Sequence, residues 1–283
     1  MKILIYVGDL ITDMPGIFMG ELVARKLNAQ VSLLLITPRE KKKKEEKKEG
    51  QEILDQVVDR FDGLLVETRV RRGVVAAKIL EEIRDTNCDI VVITSSRIGG
   101  HPRKQAVSRD VISKIPCSTL IVKNPRPELN NVLMLTGGLQ VSESMIEIGA
   151  RLAGVLKSKV TLMHVAANVP SMYTGLETIE ETLEEMLQTD TPIAKHLRRC
   201  CRILDKYGVP SELKLRHGEP VYEIVREVDR EDYDIVIIGA SGASTSVKEW
   251  FLRNVTKDVI DLVGIPIMVV NQVHAQKMPE EDF

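Results

Sequence analysis

The sequence contains no hydrophobic run long enough to cross a membrane. No apolar stretch approaches the roughly 20 residues that span a bilayer, and the apolar N-terminus lacks the small-residue cleavage pattern of a secretory signal. We therefore expect no membrane insertion and interpret the N-terminus as a first strand. The 283 residues, 43% hydrophobic and 28% charged, exceed the commonest domain size of roughly 100–150 residues, which favours two globular domains.

The chain also lacks cysteine motifs and an excess of charge of either sign. Its four cysteines show neither C-x-x-C spacing nor a histidine set of the zinc-site kind, so we expect no metal site and a reduced, cytoplasmic location. With 39 basic and 41 acidic side chains and a net charge of −2, the chain has no overall electrostatic attraction for nucleic acid or anionic lipid. Any anion site must be local.

Catalytic signatures are missing as well. Neither of the phosphate-loop patterns G-x-x-x-x-G-K-[ST] and G-x-G-x-x-G occurs, and Ser241 lacks the G-x-S-x-G frame of a nucleophile elbow. No carboxylate base or metal-ligand cluster falls at the expected crevice. We therefore predict no catalytic residue and, at most, slow ATP hydrolysis.

The sequence does contain an internal repeat. Residues 3–8 (ILIYVG) align with residues 132–137 (VLMLTG) at an offset of 129 (132 minus 3), and residues 89–93 (DIVVI) align with 234–238 (DIVII) at 145 (234 minus 89). The gaps fall between elements. Several segments that agree at stepwise offsets predict a tandem duplication.

Each copy follows the pattern β-α-β-α-β-α-β-α-β. Continuous β-branched runs such as DIVVI and DIVII indicate parallel strands covered on both faces. We predict an α/β fold of two tandem doubly wound domains, each a five-stranded parallel sheet of order 3-2-1-4-5 with helices on both faces. The strands are expected near residues 2–7, 31–36, 64–70, 89–94 and 118–122, and near 132–136, 160–165, 211–216, 234–239 and 266–270.

The repeat also sets the expected domain boundaries. Domain 1 is predicted to cover residues 1–124 and domain 2 residues 132–272, followed by a tail at 273–283. Residues 125–131 contain two prolines and no hydrophobic period, so they are interpreted as the linker.

In such sheets, ligands bind beyond the carboxyl ends of the strands, where the strand order reverses. In copy two the fourth strand is followed by small residues that include Gly239, Ser241 and Gly242, and then by a helix. Glycines let backbone amides approach an anion, and a helix N-terminus favours negative charge. This segment is interpreted either as a phosphate cradle or as an ordinary strand-to-helix turn.

The other candidate features are weaker. Copy one lacks both glycines at the aligned positions, so its site is expected to be degraded, and its basic loop residues Arg97, His101, Arg103 and Lys104 either bind an anion or are solvated. His164 and His217 lie at strand ends on the ligand side and are not assigned to catalysis. Residues 175–189 are interpreted as an amphipathic helix that covers a site or forms a subunit contact.

Each half resembles a universal stress protein domain, and the two copies cover nearly the whole chain. The order of strand, G-x-x-G, gap, small-residue turn, helix and terminal strand is that family's ATP-binding layout. The resemblance implies that Gly239 and Gly242 are the motif glycines and that Ser241 lies between them as a donor. It implies a nucleotide site whose remaining members are Gly137 after the first strand and a phosphate-binding turn formed by Arg253, Asn254, Val255 and Thr256. Arg253 and Asn254 stand where the family has Gly-Ser.

The resemblance further implies a regulatory or stress-response protein that binds ATP, ADP or AMP, with or without Mg²⁺, in domain 2. Single-domain members commonly pair through their last strands, which implies an intramolecular pseudo-dimer with residues 268–270 beside 120–122, and leaves further homodimerisation open. The alternative is a nucleotide-independent interaction module that docks a protein or transporter partner.

Overall fold

A computed structural model of the chain describes residues 1–37, 43–95, 112, 115–137, 141–166, 182–240 and 247–271. They divide into two compact units. Unit 1 is formed by Met1–Glu128 and the described residues from Gly264 onward, and unit 2 by Leu129–Val263. The compact units therefore differ from a simple division of the chain at the repeat boundary, and the predicted domain limits stay a prediction.

Unit 1 contains a parallel sheet of order β3-β2-β1-β4-β5. The side chains of β4 and β5 are all buried, as the apolar runs predict. The strands are β1 Lys2–Val7, β2 Gln30–Thr37, β3 Val66–Arg72, β4 Ile90–Thr94 and β5 Ser118–Val122, and the helices are α1 Leu10–Lys26, α2 Lys43–Val58, a 3₁₀ turn Asp59–Phe61 and α3 Val75–Thr86.

A sixth strand of unit 1, β10 (Ile267–Val270), comes from the end of the second repeat. It runs antiparallel to β5, with Met268 opposite Leu120. The amide nitrogen of the Asn124 side chain donates to the Gly264 carbonyl at 2.9 Å, and that of Asn271 donates to the Ile115 carbonyl at 2.7 Å. The predicted juxtaposition of these two strands is thus confirmed, with an asparagine bond at each end of the pair.

Unit 2 contains a parallel sheet of order β8-β7-β6-β9. Its strands are β6 Asn131–Thr136, β7 Lys159–Ala166, β8 Ser211–His217 and β9 Ile235–Gly239, and its helices are α4 Val141–Leu156, α5 Leu183–Gln188, α6 Pro192–Lys206, α7 Pro220–Arg230 and α8 Val247–Leu262. The predicted α/β fold is confirmed, and every strand lies within two residues of its expected bounds. Because β10 belongs to unit 1, the described strands divide six and four between the units rather than five and five as predicted.

Only part of the predicted helix at 175–189 lies within the described residues. There α5 begins after Thr182, whose hydroxyl accepts from the Glu185 amide while the Glu185 carboxylate accepts from the Thr182 amide. This reciprocal capping satisfies two N–H groups that a short helix would otherwise leave unpaired.

The repeat preserves a buried ion pair between the third strand of each unit and the helix that directly follows it. In unit 1, Glu82 on α3 is fully buried and binds Arg71 of β3 at 2.7 Å. In unit 2, Glu227 on α7 binds Arg216 at 2.6 Å and Lys214 at 2.8 Å, both on β8. Burial opposes ionisation of Glu227, but hydrogen bonds from Lys214, Arg216 and Tyr233 still lower its pKa.

Within the described part of the chain, none of the helices combines the length and the apolar character needed to cross a bilayer.

Candidate functional site

The strand order of unit 2 reverses between β6 and β9, because the chain proceeds from β6 to β7 and β8 on one side and places β9 on the other. Thr136 ends β6 and Gly239 ends β9 at this point. Ligands of open parallel sheets bind beyond the carboxyl ends of such neighbouring strands. The carboxyl edge of unit 2 is therefore the candidate site.

The structure brings three of the predicted site residues to this edge. Gly137 follows β6 and is exposed, and Gly239 is half-buried. The Thr256 hydroxyl on α8 donates to the Gly239 carbonyl at 3.4 Å. A Cβ placed on Gly239 would lie 3.6 Å from Cγ of Met145, which is an ordinary van der Waals distance, so packing alone does not require a glycine here.

The predicted phosphate-binding turn requires a correction. Arg253, Asn254, Val255 and Thr256 lie inside α8, which begins at Val247, so they are helical. Beyond the first turn of a helix the backbone N–H groups are used within the helix, and Val255 is buried. Only side chains can therefore contribute donors here. The structure does not describe the side chains of Arg253 and Asn254, and it does not describe Ser241 and Gly242 at all.

A polar network that the sequence did not predict surrounds Thr136. Its hydroxyl lies 2.7 Å from Nε2 of His196 on α6, and its carbonyl lies 3.0 Å from Nδ1 of His164 on β7. Thr136 and His196 are buried, whereas His164 is half-buried at the edge. The last residue of β6 is thus bound through its side chain and through its backbone.

Glu143, Arg199 and Cys200 complete this network. Nδ1 of His196 lies 3.6 Å from the Glu143 carboxylate, which also accepts from Nε of Arg199 at 2.7 Å. The Cys200 sulfur is 3.4 Å from Nε2 of His196. Burial is the main reason that the pKa of His196 is lowered and that of Cys200 is raised to about 12, so at pH 7 the ring and the thiol are both neutral.

His164 and His217 lie near the carboxyl ends of β7 and β8, as expected. Burial is the largest cause of the lowered pKa of His164, and the charge of His217 acts in the same direction. Among the described residues, no group of three or more His, Cys, Asp or Glu side chains is arranged to hold a metal ion.

At the same edge of unit 1, the backbone amides that follow β1 are bonded within the chain. Asp13 of α1 is fully buried, and its carboxylate accepts from the backbone amides of Gly8 at 2.6 Å and Asp9 at 3.0 Å. These amides follow β1 as Gly137 follows β6. An internal carboxylate thus binds the amides of unit 1 that correspond in position to Gly137 of unit 2, and the expected degradation of the unit 1 site stays a prediction.

The missed residues left only a faint signal in the sequence. His196 and Cys200 are four residues apart and share the buried face of α6, a spacing typical of core positions. Cys200 is free and buried, as expected of a packing residue. The contact between His196 and Thr136 spans 60 residues, so no local pattern could reveal it.

The sequence profile of the universal stress protein family matches residues 23–123 and 128–271. No sequence among curated proteins matched the chain. A universal stress protein from Archaeoglobus fulgidus DSM 4304 is similar in structure, with a TM-score of 0.67, 14% identity, and coverage of 95% of this chain and 96% of that one. A protein of unknown function from Pseudomonas aeruginosa PAO1 has a TM-score of 0.63 and 17% identity, over 98% of this chain and 95% of its own.

A further universal stress protein from Archaeoglobus fulgidus, determined in complex with dAMP, is 18% identical and covers 50% of this chain and 97% of its own length, with a TM-score of 0.37. The two profile matches follow one another along the sequence and together span most of it. The chain therefore belongs to the universal stress protein family and carries two tandem copies of its domain.

Proposed function

We propose that unit 2 binds an adenine nucleotide, either ATP, ADP or AMP, at the carboxyl edge of its sheet, and that binding serves regulation in a stress response rather than catalysis. One observation carries the proposal. At the reversal point, unit 2 presents exposed Gly137, half-buried Gly239 and the polar edge residue His164, whereas unit 1 occupies the corresponding amides with the carboxylate of Asp13.

Family membership supports a nucleotide as the ligand, because the sequence retains Gly239 and Gly242 at the family's motif spacing. In this proposal Gly239 and Gly242 allow close backbone approach, Ser241 and Thr256 donate to ribose or phosphate, and Arg253 supplies positive charge for the phosphates, with Mg²⁺ as an optional partner. The net charge of −2 makes such a local cation more important than any general attraction.

Isothermal titration calorimetry tests this on the nucleotide-stripped full chain, with ATP, ADP and AMP, each with and without Mg²⁺. We expect one site per chain with micromolar affinity. Gly239→Val is expected to weaken binding at least tenfold, because a branched side chain would hinder the close approach of the ligand to the backbone at the end of β9. Thr94→Val is the matched control, since Thr94 occupies the aligned position in unit 1, at the end of β4, and should leave the affinity unchanged.

The outcomes are separable. Absence of heat for all three nucleotides up to millimolar concentration would refute the proposal, and so would undiminished binding by a folded Gly239→Val variant. Two sites per chain would show that Asp13 does not close unit 1. Far-ultraviolet circular dichroism of each variant checks that the fold is intact.

A second candidate function is a nucleotide-independent docking module for a protein or transporter partner. It is supported by exposed apolar side chains near the carboxyl edge of unit 1, where Ile11 is 92% and Val74 is 72% exposed. A partner that co-purifies in stoichiometric amounts without added nucleotide, and is lost in Ile11→Ser/Val74→Ser, would favour this function.

We also propose that the protein is cytoplasmic and that the β5–β10 pair replaces the last-strand pairing of single-domain family members. The four cysteines are free, which fits a reducing compartment. If the β5–β10 pair replaces pairing between chains, the protein should be a monomer, and light scattering should give a monomeric mass.

A further inference from the structure

We propose that His164 selects the base of the bound nucleotide, favouring adenine, which presents an exocyclic amino group, over hypoxanthine and guanine, which present an oxo group at the same place. This inference rests on the proposed function of unit 2 and names the residue that would set its specificity.

The hydrogen bond to Thr136 fixes the tautomer of the His164 ring. A backbone carbonyl can only accept, so Nδ1 of His164, 3.0 Å from the Thr136 carbonyl, must carry the ring proton. The ring is neutral at pH 7, because burial lowers its pKa. Its Nε2 therefore carries a lone pair and acts as an acceptor.

This acceptor is available to a ligand. His164 is half-buried at the carboxyl edge, and no described residue bonds to its Nε2. His164 lies in the residue pair that joins the ends of β6 and β7, and in this proposal its Nε2 faces the crevice beyond those strand ends.

The acceptor distinguishes bases by the sign of the partner group. The N6 amino group of adenine donates, whereas the O6 oxygen of guanine or hypoxanthine accepts. An oxo group opposite a lone pair leaves two acceptors facing each other without a proton, and an unpaired buried polar group costs about 1–3 kcal/mol.

The neighbours of His164 hold this arrangement in place. The Thr136 hydroxyl is bound by Nε2 of His196 at 2.7 Å, and His196 is itself buried. The carbonyl that fixes the His164 ring therefore belongs to a residue restrained on both its side chain and its backbone.

Unit 1 shows that the fold does not require these polar groups. The residue pair at the same register in unit 1 is Val7 and Leu35, both buried. Gly50 of α2 packs against Leu35, and a Cβ added to this glycine would lie 3.1 Å from the Leu35 side chain. Two apolar residues thus satisfy the packing at this position, so the threonine and histidine of unit 2 are not explained by the core.

Calorimetry with ATP and inosine triphosphate at pH 7.5 tests the inference on the full chain. We expect ATP to bind at least tenfold more tightly than inosine triphosphate. In His164→Leu, which installs the residue that unit 1 carries at this position, the two affinities should converge. His217→Gln, on the neighbouring strand, is the control and should keep the preference.

A second measurement does not depend on a variant folding. In ¹⁵N-histidine spectra of the native chain, the unprotonated Nε2 resonance of His164 should shift on addition of ATP and stay in place with inosine triphosphate. Equal affinities in the native chain, or a preference that survives in His164→Leu, would overturn the inference alone. Failure of both nucleotides to bind would overturn the proposed function and this inference with it.

Discussion

His196 illustrates how burial sets the chemistry of a single side chain in unit 2. The ring is 1% exposed, and burial lowers its pKa more than the nearby Glu143 carboxylate raises it. His164 is affected in the same direction, again chiefly by burial. Both rings are therefore neutral in the folded protein under conditions in which they would begin to bind protons in an unfolded chain.

This difference makes the stability of unit 2 depend on pH. Unfolded histidines titrate near about 6.5, and the folded rings titrate lower, so the free energy of unfolding should decrease as the pH falls through about 6.5 toward the folded pKa. Each ring contributes up to about 1.4 kcal/mol per pH unit within that window. Urea unfolding between pH 7.5 and 5.5 measures the slope.

His164→Leu should remove the contribution of His164 to the pH dependence of the free energy of unfolding, and the contribution of His196 should remain. A free energy of unfolding that is constant across this pH range would contradict the assignment of two neutral, buried rings.

At this scale the sequence predicted some positions and not others. Gly137, Gly239 and Thr256 reach the expected edge because the order of strands and helices determines where each strand ends. The contact between His196 and Thr136 depends on the rotation and depth of α6 across a long insertion, and a hydrophobic period shows only that His196 faces inward.

Among the elements, an ion pair connects the third strand of each unit to the helix that directly follows it, but the two pairs are not equally bonded. Glu227 has short bonds to Lys214 and Arg216 and another from the Tyr233 hydroxyl at 3.0 Å. Glu82 has one short bond, to Arg71, and its second oxygen has Arg69 at 3.8 Å.

Neutralising these glutamates should therefore destabilise the two units to different degrees. We expect Glu227→Gln to lower the free energy of unfolding by about 2–3 kcal/mol, because it removes the buried negative charge that accepts from Lys214, Arg216 and the Tyr233 hydroxyl. Glu82→Gln is the matched variant and should cost about half as much. Urea unfolding of both variants measures the costs, and equal losses would show that the additional bonds of Glu227 contribute nothing.

The elements were the most predictable level. Continuous apolar runs placed the strands within two residues, because a buried parallel strand needs apolar side chains on both faces. The exception is α8. The family layout suggested a turn at Arg253–Thr256, whereas the structure continues a helix with Val255, Val259 and Ile260 buried, a spacing that indicates a helix.

At the scale of the whole molecule, the repeat in the sequence and the compact units do not coincide. The duplication assigns residues 267–270 to the second copy, but they belong to unit 1. A repeat shows which segments share an origin. The pairing of β10 with β5 depends on backbone hydrogen bonds and buried apolar surface between segments that are distant in sequence. The sequence predicted this pairing only through the resemblance to relatives that pair through their last strands.

The asparagine bonds at the ends of β10 should contribute to this pairing. Asn271→Ala removes the donor to the carbonyl of Ile115, a buried residue, and we expect a loss of about 1–2 kcal/mol. Hydrogen exchange followed by mass spectrometry should show faster exchange in β5 and β10 and unchanged exchange in β6 and β7. Faster exchange confined to unit 2 would contradict the assignment of β10 to unit 1.

The position of β10 also has a consequence during synthesis on the ribosome. Translation proceeds from the N-terminus, so β10 emerges only after every strand of unit 2, although it completes the sheet of unit 1. While unit 2 is being made, β5 remains an edge strand with unpaired backbone groups, which is the kind of surface that templates wrong pairing between nascent chains. The first half of this protein is thus the last to be finished, and its exposure to misassembly lasts as long as translation of the second half.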